Sequence, residues 1–369
     1  MSEMIEKFRK LLNVVFGDDD ANKLRDMSVR DLRGIDGNIA VMVRMTNDHG
    51  EPNINQLWKI AKDIEASHLN IKFFGYELAR QLAAALPVRT QTSVQSVPLA
   101  CKASTQTDIE SDWLAHWCSQ LGIPVVYHRK IWEYAYVLQT LHDCGMLESG
   151  RRGLGFGCGQ EPIPSYLTAL GVGVTVTDLP TEAAGRWAQT NQHSDNLDRT
   201  FRPHMVSREE FVRLADFAYA DMNDIPETLR GYDFCWSICA LEHLGSIKLG
   251  LDFIENALDT INPGGVAVHT TEYNCLNDLE TMDNWPTVLF QRRHFQEIHD
   301  RLIASGHDVA PLNFDIGNKP MDKFIDLPPY GHDWTPFARQ QWNPDGSHLK
   351  LNIDGFATTC FGLVIRKRA

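Results

Sequence analysis

The chain has 369 residues, 43% of them hydrophobic, which is material for a sizeable core and, by length, for more than one domain. A formal net charge of -13 argues against a nucleic-acid surface, because neutralising phosphates takes a basic face. The eight cysteines form no Cys-x-x-Cys pair and no Cys/His group at zinc spacing, so reduced thiols and no metal are expected.

No run of about 18 apolar residues occurs, so no membrane span is expected. The first residues include Glu3, Glu6, Lys7 and Lys10 and lack the apolar region of a signal peptide, which leads us to expect a cytoplasmic protein. Over 1–16, Met4, Ile5, Phe8, Leu11, Leu12, Val15 and Phe16 recur at helical spacing opposite charged residues. This predicts a helix docked on its own domain, with a homodimer or partner contact, or a membrane-surface role, as alternative uses of the face. Ser28 and Asp31 form a weak capping signal. Leu57, Ile60, Ala61 and Ile64 predict a second helix, and Tyr76, Leu78, Leu82 and Leu86 a third that ends at Pro87. Residues 1–87 therefore read as a small, mostly helical unit without a catalytic signature. Residues 88–109 turn rich in Ser, Thr and Gln, which suits a linker.

From 110 to 369 the pattern is that of one larger domain. Trp113–Leu121 and His128–Cys144 predict helices. Then comes the stretch Gly153-Leu-Gly-Phe-Gly-Cys-Gly-Gln-Glu-Pro162, which reads as a strand, a glycine loop and the start of a helix from Ile163. Such a loop lets backbone N–H groups approach a ligand closely. Beyond it, Val172–Thr177, Phe217–Ala220, Tyr232–Ser237, Val266–Thr271, Asp308–Leu312 and Ala357–Ile365 predict strands. Between them, Thr181–Gln189, Ser246–Ile261 and Arg292–Ala304 predict helices. Strands alternating with helices imply a mostly parallel sheet covered on both faces, an α/β fold.

The loop narrows the ligand. A dinucleotide fingerprint needs a third glycine where Pro162 stands, and Glu161 beside it would repel a pyrophosphate. Asp178 ends the second strand of this series, where a carboxylate accepts from both ribose hydroxyls. Asp221 ends the third, where it reads an adenine edge. Together they describe adenosine without phosphates.

The segments LGFGCGQEP (154–162), VTVTDLP (174–180), YADMNDIP (219–226), YDFCWSICALEHLG (232–245) and NPGGVAVHTTEYN (262–274) resemble, in that order, class I S-adenosylmethionine-dependent methyltransferases. The resemblance covers about 125–369 and is narrower toward methyltransferase-domain proteins of bacterial surface-glycan biosynthesis. It implies a Rossmann-like seven-stranded sheet with an antiparallel last strand, and S-adenosyl-L-methionine as cofactor. It implies Gly157 and Gly159 against the methionine part, Asp178 on the ribose, Asp221 and Met222 at the adenine, and Ser237 to Leu241 under the sulfonium. One departure is clear: the acidic residue that relatives carry in the first strand is Gly155 here. Glu161 is a candidate to hold the cofactor's amino group instead.

The implied reaction is transfer of a methyl group to a hydroxyl of a sugar, a glycan or another small molecule. Its candidate bases are Glu272, the preferred one, His243 and Glu242; His269 is a further candidate, expected to face a helix rather than the site. Asp326-Leu-Pro-Pro-Tyr330 reads as a rigid turn, and the aromatic residues Tyr330, His332, Trp334, Phe337 and Trp342 could stack on an acceptor. Two other readings compete: an inactive S-adenosylmethionine-binding regulator or scaffold, and a nucleotide-sugar or NAD oxidoreductase, which Pro162 disfavours.

Overall fold

The computed structural model describes residues 49, 54–87, 94–180, 194–328, 330, 340 and 347–369. The expectations for 1–16, for Ser28 and Asp31, for a helix over Thr181–Gln189, and for His332, Trp334, Phe337 and Trp342 lie outside the described residues. The chain divides into two compact units, 1–73 and 74–369. One continuous helix, α1 (Ile54–Ala84), has residues in both. It replaces the two separate helices expected around 57–64 and 76–86. No proline interrupts 65–75, and Gly75 is accommodated because the ring of Phe324 fills the space its side chain would take.

In the second unit, the later part of the expected linker is folded. Cys101–Ala103 forms β1 and Gln106–Ile109 forms α2. The polar composition that suggested a linker is instead buried and bonded: Ser104 Oγ lies 2.6 Å from Thr359 Oγ1, and Gln106 Oε1 accepts from Met321 N at 2.7 Å. Both polar groups are satisfied, so their burial carries no desolvation penalty that would keep the segment out of the core.

Next come α3 (Asp112–Leu121), β2 (Tyr127–His128) and α4 (Arg129–Asp143). Ser111 caps α3 by accepting from Leu114 N, and Gly122, left-handed at φ 64, ends it. The alternating part follows: β3 (Arg152–Phe156), α5 (Ile163–Ala169), β4 (Gly173–Asp178), α6 (Arg208–Leu214), β5 (Ala215–Tyr219) and β6 (Tyr232–Ile238). Then α7 (Ile247–Ala257), β7 (Ile261–Asn274) and α8 (Arg292–Ala304) complete its second half. The last elements are β8 (Asp308–Val309), β9 (Leu312–Asn313), α9 (Pro320–Lys323), β10 (Ile325–Asp326), β11 (Ser347–His348), β12 (Lys350–Ile353) and β13 (Phe356–Arg366).

Strands β5-β4-β3-β6-β7 lie side by side and parallel. β13 joins β7 antiparallel over nine register pairs from Thr358↔Asn274 to Arg366↔Val266, and β8 pairs with β13. This is the expected seven-stranded run with its antiparallel last strand. β1, β9, β12 and β10 extend the β13 edge, bringing the sheet to 11 strands. The fold is α/β with helices over both faces. Two apolar cores line those faces, and residues along the strands alternate between them. Phe234, Trp236 and Ile238 enter one core, Cys235 the other; Val266 and Val268 enter the first, Ala267 the second.

That alternation explains half of the glycine stretch. Gly153 and Gly155 sit in β3 directly beside Phe234 and Trp236 of β6. A side chain at Gly153 would run into the Phe234 ring, and one at Gly155 into Trp236 and Cys158. These two glycines make room for aromatic rings.

Candidate active site

The other two glycines form the loop that leaves β3. Gly157 and Gly159 have φ 60 and 49, in the left-handed region that favours glycine. A Cβ on Gly157 would lie 2.9 Å from Ala240 Cβ and 3.7 Å from Met222 Sδ. The loop therefore lies against the segments that follow β5 and β6. This brings together Gly157 and Met222, which is buried.

Asp178, at the end of β4, turns its carboxylate toward the same loop. Oδ2 accepts from Gly159 N at 3.3 Å and Ser194 N at 3.0 Å, and Oδ1 from Leu179 N at 2.9 Å. Asp221 lies two residues past β5 and is exposed; its Oδ1 accepts from Asn223 N at 2.8 Å in an Asx-turn. Leu241 is fully buried in the core beneath the loop after β6.

Two sequence candidates are turned inward. Ser237 Oγ and His269 Nδ1 are 2.8 Å apart, and both residues are fully buried. The His269 ring meets Phe253 of α7 edge-on at 5.4 Å. Burial holds this imidazole down at about 3, so it stays neutral through the physiological range. His269 faces a helix, and the Ser237 hydroxyl is committed to it.

Glu161 follows the loop and is buried; its Oε2 accepts from Trp236 Nε1 at 3.0 Å. Burial pushes its carboxyl up to about 8, against the Trp236 hydrogen bond and Lys130, which pull it down. Between the ordinary value of 4.5 and about 8, the folded chain holds a proton that the unfolded chain has released. Stability therefore falls as pH rises through that window. Glu161→Gln keeps an acceptor for Trp236 and removes the ionisation. Thermal melts from pH 4.5 to 9 are expected to show the variant gaining on the parent across the window and levelling off above it. The difference should reach the order of a few kcal/mol.

Where β6 ends, beside β7 and β13, lies a cluster of charged and thiol groups. Glu272, two residues before the end of β7, is buried and ion-paired through Oε1 with Arg129. Glu242, in the turn after β6, is fully buried; its Oε2 accepts from Thr271 Oγ1 at 3.0 Å. His243 donates from Nδ1 to Pro286 O at 3.0 Å and holds Nε2 3.9 Å from Glu242 Oε1. Burial keeps the His243 imidazole below its ordinary value of 6.5, Glu242 pulling the other way. Sequence reasoning missed Glu133 of α4 and the pair Cys239 and Cys360. Glu133 is fully buried and its Oε2 accepts from Thr270 Oγ1 at 2.7 Å. Burial works to raise its carboxyl, but Lys130 and Arg129 together hold it below the usual range. Cys239 Sγ and Cys360 Sγ are 3.4 Å apart.

Asp326 is buried and accepts from Tyr76 Oη at 2.8 Å and His348 Nδ1 at 2.7 Å. A cavity of about 320 Å³ lined by Ala83, Leu86, Ile109, Cys118 and Val125 has no charged side chain in its wall and lies away from the cluster.

No protein-family model matches the chain, and no curated protein matches it. Among solved structures, it is similar to an S-adenosylmethionine-dependent methyltransferase from Mesorhizobium loti, at 12% identity over 62% of this chain and 95% of that one, with a TM-score of 0.34. It is similar to the methyltransferase domain of bacterial CtHen1-C, at 17% identity over 63% and 96%, with a TM-score of 0.38. It is also similar to the [4+2]-cyclase SpnF, at 14% identity over 74% and 100%, with a TM-score of 0.37. At these identities and TM-scores the likeness says nothing about chemistry.

Proposed function

We propose that the chain binds S-adenosylmethionine at the β3 loop and catalyses methyl transfer to a hydroxyl of a sugar, glycan or other small molecule. The observation that carries this reading is the left-handed loop of Gly157 and Gly159, tied to the Asp178 carboxylate and backed by Met222. It offers backbone to a ligand's tail, a carboxylate to a ribose and an apolar wall to an adenine. When bound, the cofactor supplies an electrophilic methyl on a sulfonium; the chain supplies position and a polar, water-poor cradle.

Glu161 fits the cofactor's ammonium. Trp236, whose ring fills the place of a side chain at Gly155, carries Glu161 on its indole N–H, so a carboxyl is provided in the neighbourhood where relatives have one in the strand. A buried carboxyl that holds a proton when alone gives it up when a cation arrives beside it. Binding at pH 7 is therefore expected to release a proton. Calorimetry with S-adenosylhomocysteine in buffers of different ionisation heat reads this directly.

For the acceptor, His243 is the better-placed base of the three candidates. Its Nδ1–H is fixed on Pro286 O, which leaves Nε2 as the acceptor, facing Glu242. The Arg129 ion pair makes Glu272 a positioning group. His243→Asn is expected to lower kcat by about 10²–10⁴-fold while leaving S-adenosylhomocysteine affinity within twofold or so. The acid limb of the pH–rate profile should lie below 6.5. A rate unchanged by this substitution removes His243 from the proposal.

The reading is tested by calorimetry with S-adenosylhomocysteine and by mass spectrometry of candidate acceptors after incubation with labelled cofactor. One observation favours a silent binding protein: Glu242 and Glu272 are buried at 0% and 2% exposure, so an acceptor must enter deeply to meet them. Tight binding with no methylated product from any extract would select that reading. Absence of binding would sink both.

A further inference from the structure

The cluster where β6 ends beside β7 and β13 holds more ligand atoms than proton transfer needs. Both sulfurs, Cys239 and Cys360, and a carboxylate oxygen of Glu133 lie within 4.8 Å of one another; a second such group joins Cys239 to Glu242 and Glu272. Three buried carboxylate oxygens in this place, Glu133 Oε1, Glu242 Oε1 and Glu272 Oε2, have no hydrogen-bond partner. Their residues are exposed by 0%, 0% and 2%. A buried carboxylate oxygen without a donor costs free energy, and three together call for a cation.

The cations present are too few. Arg129 pairs with Glu272 and lies 3.9 Å from Cys360 Sγ; Lys130 Nζ is 3.4 Å from Glu133 Oε1. Among the described residues, Arg129 and Lys130 are the lysine and arginine side chains ion-paired with these three carboxylates.

We propose that Cys239, Cys360 and Glu133 bind one divalent transition cation of the zinc type, with Glu242 and Glu272 beside it. Two soft sulfurs and a carboxylate suit zinc and disfavour magnesium or calcium, which take oxygen alone. The spacing separates this from a disulfide. Two sulfurs on a tetrahedral zinc stand about 3.8 Å apart, given Zn–S bonds of about 2.3 Å. A disulfide needs about 2.05 Å. The observed 3.4 Å requires a parting of a few tenths of an ångström for the metal and a far larger approach for the disulfide. Cys239 is also held at φ 46, outside the ordinary range of a side-chain-bearing residue, at the point where β6 ends.

Binding forms two metal–sulfur bonds and breaks two S–H bonds, whose protons go to solvent. No electrons are exchanged. Three protein ligands leave a position open, the arrangement of a zinc that takes an exogenous oxygen or sulfur and favours its deprotonated form. Only this last role rests on the methyl-transfer reading, since Ala240, next to Cys239, touches the Gly157 loop. The site itself does not.

The test uses the full chain and zinc alone. After dialysis with zinc and gel filtration, metal analysis is expected to find one zinc per chain. Replacement by cobalt is expected to give a thiolate-to-cobalt charge-transfer band. Cys239→Ser and Cys360→Ser should each weaken zinc binding at least about 100-fold, while Cys144→Ser leaves it unchanged. The cobalt spectrum needs no variant, so misfolding of a variant cannot mask the answer. No retained zinc, or cobalt bound without the sulfur band, overturns the proposal. A Cys239–Cys360 disulfide found by mass spectrometry of protein purified with zinc overturns it too. None of these readouts involves S-adenosylmethionine, whose binding is measured separately.

Discussion

Asp178→Ala is expected to weaken S-adenosylhomocysteine binding by about 10²–10⁴-fold. The proposed ligand presents two ribose hydroxyls to this carboxylate, and hydrogen bonds to a charged group contribute about 1.5–3 kcal/mol each. The substitution also removes the acceptor of Gly159 N and Ser194 N, so the loop itself loosens. Asp178→Asn separates the two effects. The amide oxygen in the place of Oδ2 still accepts from Gly159 N and Ser194 N, while the amide nitrogen cannot accept from a hydroxyl. Its melting temperature should stay close to the parent's, with affinity intermediate between the parent and the alanine variant. Calorimetry gives the affinities and scanning fluorimetry the melting temperatures. Unchanged affinity in Asp178→Ala would remove the ribose assignment, and with it the ground for preferring a phosphate-free adenosine.

The parts legible in the sequence were those set by local pattern. The runs at 172–177, 232–237 and 266–271 are rich in β-branched or aromatic residues, and each falls on a strand buried on both faces, the first from Gly173 onward. Arg292–Ala304 is a helix over the range expected. What failed was of another kind. The polar run 101–109 looked like a linker because composition does not show partners; Ser104 and Gln106 find theirs more than 200 residues away. The same distance hides the thiol pair. Cys239 and Cys360 stand 121 residues apart in sequence and meet only because β13 inserts beside β7. No spacing rule sees that, and it is why a reading of scattered structural thiols followed from the sequence. Glu133 was passed over for a related reason. On α4 it falls among apolar positions, where one carboxylate reads as a residue of the solvated face.

The glycine stretch joins the two kinds. Its alternation looked like one device for approaching a ligand. The sheet register divides it: Gly153 and Gly155 are holes for Phe234 and Trp236, while Gly157 and Gly159 make the loop. The glycine at 155 is then a consequence of the tryptophan at 236. A large ring in β6 needs a residue without a side chain in the facing strand. The same ring brings an N–H to Glu161.

Placing an acidic residue at 155 is therefore expected to break the protein. The backbone there is ordinary strand, so conformation sets no obstacle; space does. A Cβ at Gly155 would meet Cys158 Sγ and the Trp236 ring, with Cε2 at 2.7 Å. Gly155→Ala should cost about 1–3 kcal/mol by overpacking. Gly155→Asp adds a carboxylate inside the core next to buried Glu161, and a loss of about 4 kcal/mol or more is expected, enough to leave most of the chain insoluble or unfolded. Trp236→Phe in the same chain shrinks the ring and also removes the Glu161 donor. If Gly155 is a packing hole, the double variant Gly155→Ala, Trp236→Phe should lose less than the sum of its parts, because the two residues share one space. Urea denaturation of the four proteins in that cycle measures the coupling. Strict additivity would mean that Trp236 is not what Gly155 accommodates. The proposal that the tryptophan relocates the carboxyl from β3 to Glu161 would then lose its structural ground.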